Sequence, residues 1–100
     1  MTIFYKFSLK DRVAVVTGGG GQLGGEFCLT LAEAGAAVTI VDLNSEAIDK
    51  TVERLVNSGY KAKGVVTDIT KPDSVDALID SVLSTFGHLD ILVKIGRAHV

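Results

Sequence analysis

The chain is 100 residues long, 47% of its residues are hydrophobic, and its formal net charge at pH 7 is -2. This length and apolar content suit one small globular domain and argue against a disordered chain. The cationic residues are scattered, so no nucleic-acid surface is expected, no apolar stretch is long enough to cross a bilayer, and residues 1–7 are too short for a signal peptide. We therefore expect a cytoplasmic protein that has a small-molecule partner and no membrane contact.

The first predicted elements are a strand and a helix, separated by four consecutive glycines at residues 18–21, the glycine loop. Residues 12–17 form a β-branched apolar run, as expected for a strand buried on both faces. Residues 22–34 carry apolar side chains at three- and four-residue spacing, which predicts a helix, and Gly35 follows as its stop signal. Cys28 lies inside this pattern, and this favours a buried thiol over a reactive one. The side chains that set the spacing are Leu23, Phe27, Leu31 and Ala34.

A second strand and a second helix follow. Residues 37–41 are apolar and lead into Asp42, which predicts a strand with a carboxylate at its end. Asn44 or Ser45 can cap the next helix, and Gly59 ends it. The apolar residues of this helix are Ile48, Val52, Leu55 and Val56.

A third strand is predicted at residues 63–67, and a third helix comes after it. Thr70 followed by Asp73 resembles a capping box, and Pro72 is tolerated in the first turn, so the helix is expected to begin there. Gly87 is its stop signal. The inward-facing side chains are expected to be Val75, Leu78, Ile79, Val82 and Phe86.

A fourth apolar strand at residues 89–93 completes the order βαβαβαβ. Strands that alternate with helices of this length require right-handed crossovers. We therefore expect an α/β fold with a parallel sheet and helices on both of its faces.

The glycine loop is the first candidate site. A glycine-rich turn between a buried strand and a helix lets backbone N–H groups approach an anion, and the positive end of the helix dipole favours the same ligand. Gly19, Gly21 and Gly24 fit the pattern GxGxxG, and Asp42 is the acid expected about 20 residues further on. Its carboxylate can accept hydrogen bonds from the ribose hydroxyls of a dinucleotide and would repel a 2′-phosphate, while Leu43 offers no cation.

Other interpretations of these residues differ in how well they fit. The glycines could simply form a tight turn, with Asp42 facing solvent. A P-loop is excluded, because the glycines are followed by Gln22 and Leu23 instead of a lysine and a hydroxyl residue. A methyltransferase also pairs a glycine turn with an acid after the second strand, so that class stays open on these features alone.

Four motifs in order resemble those of the short-chain dehydrogenase/reductase family. Residues 17–24 resemble the family's TGxxxGxG, Asp42 follows at the expected place, and residues 67–70 (TDIT) and 86–93 (FGHLDILV) resemble two later motifs. The resemblance covers residues 8–94, and a methyltransferase would explain only the first two motifs. It implies the N-terminal half of a Rossmann-type doubly wound sheet with strand order 3-2-1-4, forming an NAD-binding half-domain at residues 1–94.

The resemblance also implies roles for individual residues. The pyrophosphate of NAD would lie against the loop and the start of the helix, Asp42 would select NAD, and Asp68 with the backbone of Ile69 would hold the adenine. An alternative for Asp68 is a residue that merely begins the third helix. Gln22 stands where the family usually has a glycine, and its side chain would crowd the cofactor or hydrogen-bond to it, although its backbone can still be helical. The expected cofactor-binding residues are Gly18, Gly21, Gln22, Leu23, Gly24, Asp42, Asp68 and Ile69.

The resemblance stops after Val93, where Lys94 replaces the first residue of the family's Asn-Asn-Ala-Gly. Residues 95–100 resemble a reading frame of a sequencing adapter, so we expect a non-native tail on a truncated fragment. The family's catalytic YxxxK motif is absent, because Tyr5 is followed four residues later by Leu9 and Tyr60 by Gly64. Both tyrosines are expected to be packing residues. No catalytic residue is assigned, and His88 and His99 lack partners at metal-ligand spacing.

The resemblance implies that the full-length protein is a homo-oligomeric, NAD-dependent oxidoreductase. It would transfer hydride between nicotinamide and an alcohol or ketone, with a sugar acid or a polyol as candidate substrates. The fragment itself is expected to be inactive. Two alternatives are an NAD-binding module without catalysis and a non-functional fragment with an uncovered sheet edge.

Overall fold

The structure, a computed structural model, describes residues 8–95, so Tyr5, His99 and the predicted tail beyond Ile95 lie outside the described residues. Strands and helices alternate within this range as predicted. The elements are β1 Val13–Thr17, α1 Gln22–Glu33, β2 Ala37–Asp42, α2 Ser45–Asn57, β3 Ala62–Val66, α3 Pro72–Phe86 and β4 Ile91–Lys94. All four strands are parallel and their order in the sheet is β3-β2-β1-β4, which confirms the predicted α/β class and strand order. No helix within residues 8–95 has the length and apolarity that a membrane crossing requires.

The core lies on both faces of the sheet, because successive side chains of a strand point in opposite directions. Every residue of β1 is buried, as expected for a central parallel strand. One face packs against α1 and α2, and the other packs against α3 through Leu78 and Val82, two of the predicted inward residues. The first face buries Ala14, Val16, Val38, Ile40, Cys28, Ile48 and Leu55. The second buries Val13, Val15, Ala37, Val41, Leu78 and Val82.

The helix ends show where local signals act. Asn44 caps α2 with its side chain, which accepts a hydrogen bond from the Ala47 N–H at 3.1 Å, so the first of the two predicted caps is the one used. Gly87 ends α3 in the left-handed conformation, as predicted. The predicted capping box at Thr70 is wrong, because α3 begins one residue after Lys71 and the Thr70 hydroxyl instead donates to the carboxylate of Asp68.

Two of the four apolar residues that predict α1 are exposed to solvent. Leu23 is 63% exposed and Phe27 is 44% exposed. The buried face consists of small residues, because α1 lies close against β1 and the glycine loop and leaves no room for larger side chains. These buried residues are Gly24, Gly25, Cys28 and Ala32. On α2, Val56 is likewise exposed, and Thr51 is buried instead.

Candidate functional site

A cleft of about 600 Å³ opens where β1, β2 and β3 end, at the carboxyl edge of the sheet. Open parallel sheets bind ligands at this edge, next to the point where the strand order reverses, which here is the boundary between β1 and β4. The structure brings all eight sequence-predicted site residues together in this carboxyl-edge cleft. They are Gly18, Gly21, Gln22, Leu23, Gly24, Asp42, Asp68 and Ile69.

The glycine loop is hydrogen-bonded to the end of β2. The N–H groups of Gly18 and Gly19 both donate to the carbonyl oxygen of Val41, at 2.8 and 3.1 Å. Gly18 has a φ of +77°, which L side chains rarely adopt, and a Cβ there would meet the carbonyl oxygen of Ile95 at 2.5 Å. Glycine is therefore required at position 18 both by the backbone conformation and by the close approach of Ile95, the residue after β4.

The start of α1 presents free N–H groups to the cleft. Gly21 is the N-cap, Gln22 is the first helical residue as anticipated, and no side chain caps the helix. The first intrahelical bond runs from the Gly25 N–H to the Gly21 carbonyl at 2.7 Å. The N–H groups of residues 22–24 precede that bond and so lack intrahelical partners, and the helix dipole adds positive potential there. This arrangement suits an anionic group.

Gly24 permits the close packing of the helix start against the loop. A Cβ on Gly24 would overlap the Gly18 carbonyl and lie 2.8 Å from the Cα of Gly19. Any side chain at this position would therefore push α1 away from the loop.

Asp42 presents its carboxylate at the end of β2. One oxygen, Oδ2, accepts a hydrogen bond from the N–H of Gly20 at 3.2 Å. The other, Oδ1, accepts from the N–H groups of Leu43 and Asn44 at 2.7 and 3.3 Å. Because each carboxylate oxygen has about two acceptor sites, Oδ2 retains capacity for a hydroxyl donor from a ligand. The three backbone bonds fix the orientation of the carboxylate in advance.

Asp68 occupies the loop between β3 and α3. Its Oδ1 accepts from the Thr70 hydroxyl at 2.6 Å and from the Thr70 N–H at 3.0 Å, and these bonds lower the pKa of the Asp68 carboxyl. The Asp68 N–H donates to the Ser74 hydroxyl at 3.1 Å. Asp68 therefore holds the loop that leads into α3 by hydrogen bonds and also lines the cleft. The neighbouring Ile69 is more than half exposed, as is Leu43, so the cleft offers apolar surface for a flat ring.

Six further residues that line the cleft are not among the predicted site residues. Ile95, the first residue of the predicted tail, lies directly after β4, and its N–H donates to the Thr17 carbonyl at 3.0 Å. The continuing apolar alternation after Ile91 could have indicated this. No lysine or arginine belongs to the lining that residues 8–95 provide. The lining residues beyond the eight predicted ones are Thr17, Val41, Leu43, Thr67, Thr70 and Ile95.

Tyr60 and His88 lie elsewhere, at the opposite edge of the sheet. Tyr60 packs against the core, which confirms its prediction as a packing residue. The His88 Nε2 lies 3.0 Å from the Asp90 carboxylate and 2.9 Å from the Asp11 carbonyl oxygen. Within the described range, no three or more His, Cys, Asp or Glu residues are grouped to hold a metal ion. Cys28 is buried as predicted, and burial raises the pKa of its thiol to about 12.

A parallel sheet of this order, with a glycine loop and a carboxylate at the ends of adjacent strands, is typical of dinucleotide-binding α/β domains. Residues 12–96 match the family described as short chain dehydrogenase. The chain belongs to this family.

Known proteins of the family are similar to this chain in both sequence and fold. The chain is 46% identical over 86 residues to cis-4-hydroxycyclohexanecarboxylate dehydrogenase of Sinomonas cyclohexanicum, a match that covers 86% of this chain and 34% of that protein. A crystal structure of hydroxysteroid dehydrogenase from Escherichia coli superimposes with a TM-score of 0.88 at 34% identity, covering 92% of this chain and 39% of the other. For NAD⁺-bound xylitol dehydrogenase the TM-score is 0.81 at 37% identity, with 84% and 32% covered. The chain thus spans about a third of the length of the curated relatives that it matches.

Proposed function

We propose that the carboxyl-edge cleft binds NAD and that this chain is the cofactor-binding part of an NAD-dependent dehydrogenase. The complete enzyme transfers hydride between nicotinamide and an alcohol or ketone, with sugar acids and polyols as candidate substrates. The observation that carries the proposal is the convergence of an uncapped helix start, an oriented carboxylate and an apolar rim in one cleft.

The donor set of the cleft fits the parts of NAD. The free N–H groups of Gln22, Leu23 and Gly24 suit the pyrophosphate, and the Gly21 N-cap lets the ligand approach the backbone. The remaining acceptor capacity of Asp42 suits an adenosine ribose hydroxyl. When bound, NAD supplies the hydride acceptor or donor.

The adenine ring fits the opposite side of the cleft. The exposed side chains of Ile69 and Leu43 offer apolar surface to the ring. The Asp68 carboxylate, whose Oδ1 is held by Thr70, can accept a hydrogen bond from the adenine amino group.

The charge of the cleft favours NAD over NADP. The described lining contains Asp42 and Asp68 and no cation, so a 2′-phosphate near the ribose would face a carboxylate without neutralisation. Two like charges at 4 Å repel by about 1 kcal/mol in water and by about 4 kcal/mol at the effective dielectric of a protein surface. We therefore expect the affinity for NADP to be lower by at least about fivefold, the factor that about 1 kcal/mol corresponds to.

The relatives support an alcohol or ketone as the substrate of the complete enzyme, since their names describe dehydrogenases of a hydroxycyclohexanecarboxylate and of xylitol. From the composition we propose that the complete enzyme is cytoplasmic, and from the resemblance that it is homo-oligomeric and that residues 1–94 are the NAD-binding half of its Rossmann-type domain. A second candidate function is NAD binding without catalysis. Within residues 8–95 the one tyrosine, Tyr60, lies at the edge of the sheet opposite the cleft, so this part of the chain places no tyrosine beside the proposed cofactor. Recovery of a longer coding sequence that contains YxxxK would decide between the two.

Isothermal titration calorimetry of the purified chain with NAD and with NADP tests the cofactor proposal. We expect one NAD site and weaker binding of NADP. The Asp80→Asn variant removes an exposed carboxylate from α3, outside the cleft, and serves as the control for altered net charge. Failure of a folded sample to bind NAD would contradict the proposal, and a preference for NADP would contradict the role given to Asp42.

A further inference from the structure

Thr51 is a buried polar residue on α2 that contacts the glycine loop from outside the cleft. It is 7% exposed and does not belong to the cleft lining. Its hydroxyl lies 3.2 Å from the carbonyl oxygen of Gly19, which is 32 positions away in the sequence. Thr51 thereby links the second helix to the loop that follows the first strand.

The hydroxyl has one proton and two acceptors within reach, since the Ala47 carbonyl lies at 3.3 Å. The Ala47 carbonyl is already the helical acceptor for the Thr51 N–H. The Gly19 carbonyl belongs to a buried residue, and no backbone N–H within residues 8–95 donates to it. Because a buried carbonyl without a hydrogen bond is costly in free energy, the Thr51 hydroxyl is expected to donate its proton to the Gly19 carbonyl oxygen.

The peptide group that joins Gly19 and Gly20 contacts Thr51 on one side and Asp42 on the other. In a trans peptide the carbonyl and the N–H point in opposite directions. The Gly19 carbonyl points to Thr51, and the Gly20 N–H donates to the Asp42 Oδ2 at 3.2 Å. If this peptide rotated, its carbonyl oxygen would face the carboxylate instead.

The glycines on both sides of the peptide make such a rotation easy, because glycine restricts φ and ψ so little. Close packing against α2 also restricts the peptide, because a Cβ on Gly20 would lie only 2.9 Å from the Ala47 Cβ. The peptide therefore depends on partners outside the loop to hold its orientation.

We propose that Thr51 is a positioning residue that locks the Gly19–Gly20 peptide and thereby orients the Asp42 carboxylate. Its effect on cofactor affinity rests on the proposed NAD function, whereas its effect on the peptide does not. Thr51 tunes binding at Asp42 without touching the ligand.

The test compares Thr51→Val, which keeps the shape and removes the hydroxyl, with Thr51→Ser, which keeps the hydroxyl. Thr30→Val is the matched control, because the Thr30 hydroxyl makes a similar bond to the Glu26 carbonyl at 3.0 Å on the exposed side of α1. By calorimetry with NAD we expect Thr51→Val to raise Kd about tenfold, which corresponds to about 1.4 kcal/mol. Thr51→Ser and Thr30→Val should leave Kd within about twofold of the wild type.

Two further measurements separate a positioning role from a merely structural one. Hydrogen exchange followed by NMR should show faster exchange of the Gly20 amide in Thr51→Val and no change in Thr30→Val. In the Asp42→Asn background, Thr51→Val should cost much less affinity than in the wild type, because the two residues act on one peptide. If Thr51→Val does not fold, Thr51→Ser and Thr51→Ala provide a second pair that differs only in the hydroxyl.

An unchanged Kd together with unchanged Gly20 exchange would overturn the proposal. An equal loss of affinity in both Asp42 backgrounds would also overturn it, since the effect would then not pass through the carboxylate. If the folded wild type does not bind NAD, the proposed function fails, and the exchange of Gly20 alone decides whether Thr51 locks the peptide.

Discussion

Gly24 and Gly25 are adjacent buried glycines of α1 for which the structure predicts opposite effects of alanine. A Cβ on Gly24 would lie 2.8 Å from the Gly18 carbonyl carbon and from the Gly19 Cα, closer than real Cβ atoms approach other atoms. Both neighbours are backbone atoms, so no side-chain rotation can relieve the overlap. A Cβ on Gly25 would have the Thr51 Oγ1 as its nearest neighbour at 3.6 Å, an ordinary contact.

The expected magnitudes follow from these distances. Gly25→Ala should stabilise the chain by about 0.5–1 kcal/mol, because glycine inside a helix costs that much relative to alanine. Gly24→Ala should destabilise it by about 1–3 kcal/mol, the usual cost of overpacking, even after the gain in helix propensity. For a domain of this size each kcal/mol shifts the Tm by about 4–8 °C.

Urea unfolding of both variants, followed by circular dichroism, measures the difference directly. The titration with NAD provides a second readout, since displacement of α1 by Gly24→Ala should weaken binding and Gly25→Ala should not. If Gly24→Ala is as stable as Gly25→Ala, the close packing of α1 against the glycine loop is refuted.

The remaining predictions concern three titratable side chains. Asp42→Asn should weaken NAD binding by about tenfold, because a charge-assisted hydrogen-bond acceptor is lost, and should reduce the preference for NAD over NADP, because the charge that repels the 2′-phosphate is lost. The Asp80→Asn control should change neither the affinity for NAD nor this preference. Equal NAD affinities of the wild type and Asp42→Asn in calorimetry would contradict the prediction. Thr70→Val should raise the pKa of the Asp68 carboxyl, as measured by NMR titration. Because the folded pKa of Asp68 is lowered, its contribution to stability is present above the ordinary value of 3.8 and is lost as the pH falls through the folded pKa. Cys28 should resist thiol reagents at pH 9 in the folded chain and react after denaturation, because burial raises the pKa of its thiol to about 12. The contribution of the neutral thiol to stability is complete below the ordinary pKa of 9.0 and is lost as the pH rises toward 12.

The alternation of strands and helices and eight of the residues that line the cleft could be predicted from local sequence patterns and the family resemblance. The apolar run of residues 12–17, the glycine loop, and the carboxylates Asp42 and Asp68 are each readable locally. In a parallel sheet all strands end at the same edge, so residues that follow different strands meet without further information. Strand order and the eight lining residues therefore followed from pattern and resemblance.

Which helix surfaces are buried, and which residues hold the glycine loop, could not be predicted without the packed structure. The apolar spacing predicted α1 correctly, yet Leu23 and Phe27 are exposed, because contact with the glycine loop requires the small side of the helix. Thr70 resembled a helix cap and instead bonds to Asp68. The bond from Thr51 to Gly19 joins segments that no local pattern connects. Such contacts depend on how closely two elements approach each other, which the packing of the whole sheet determines.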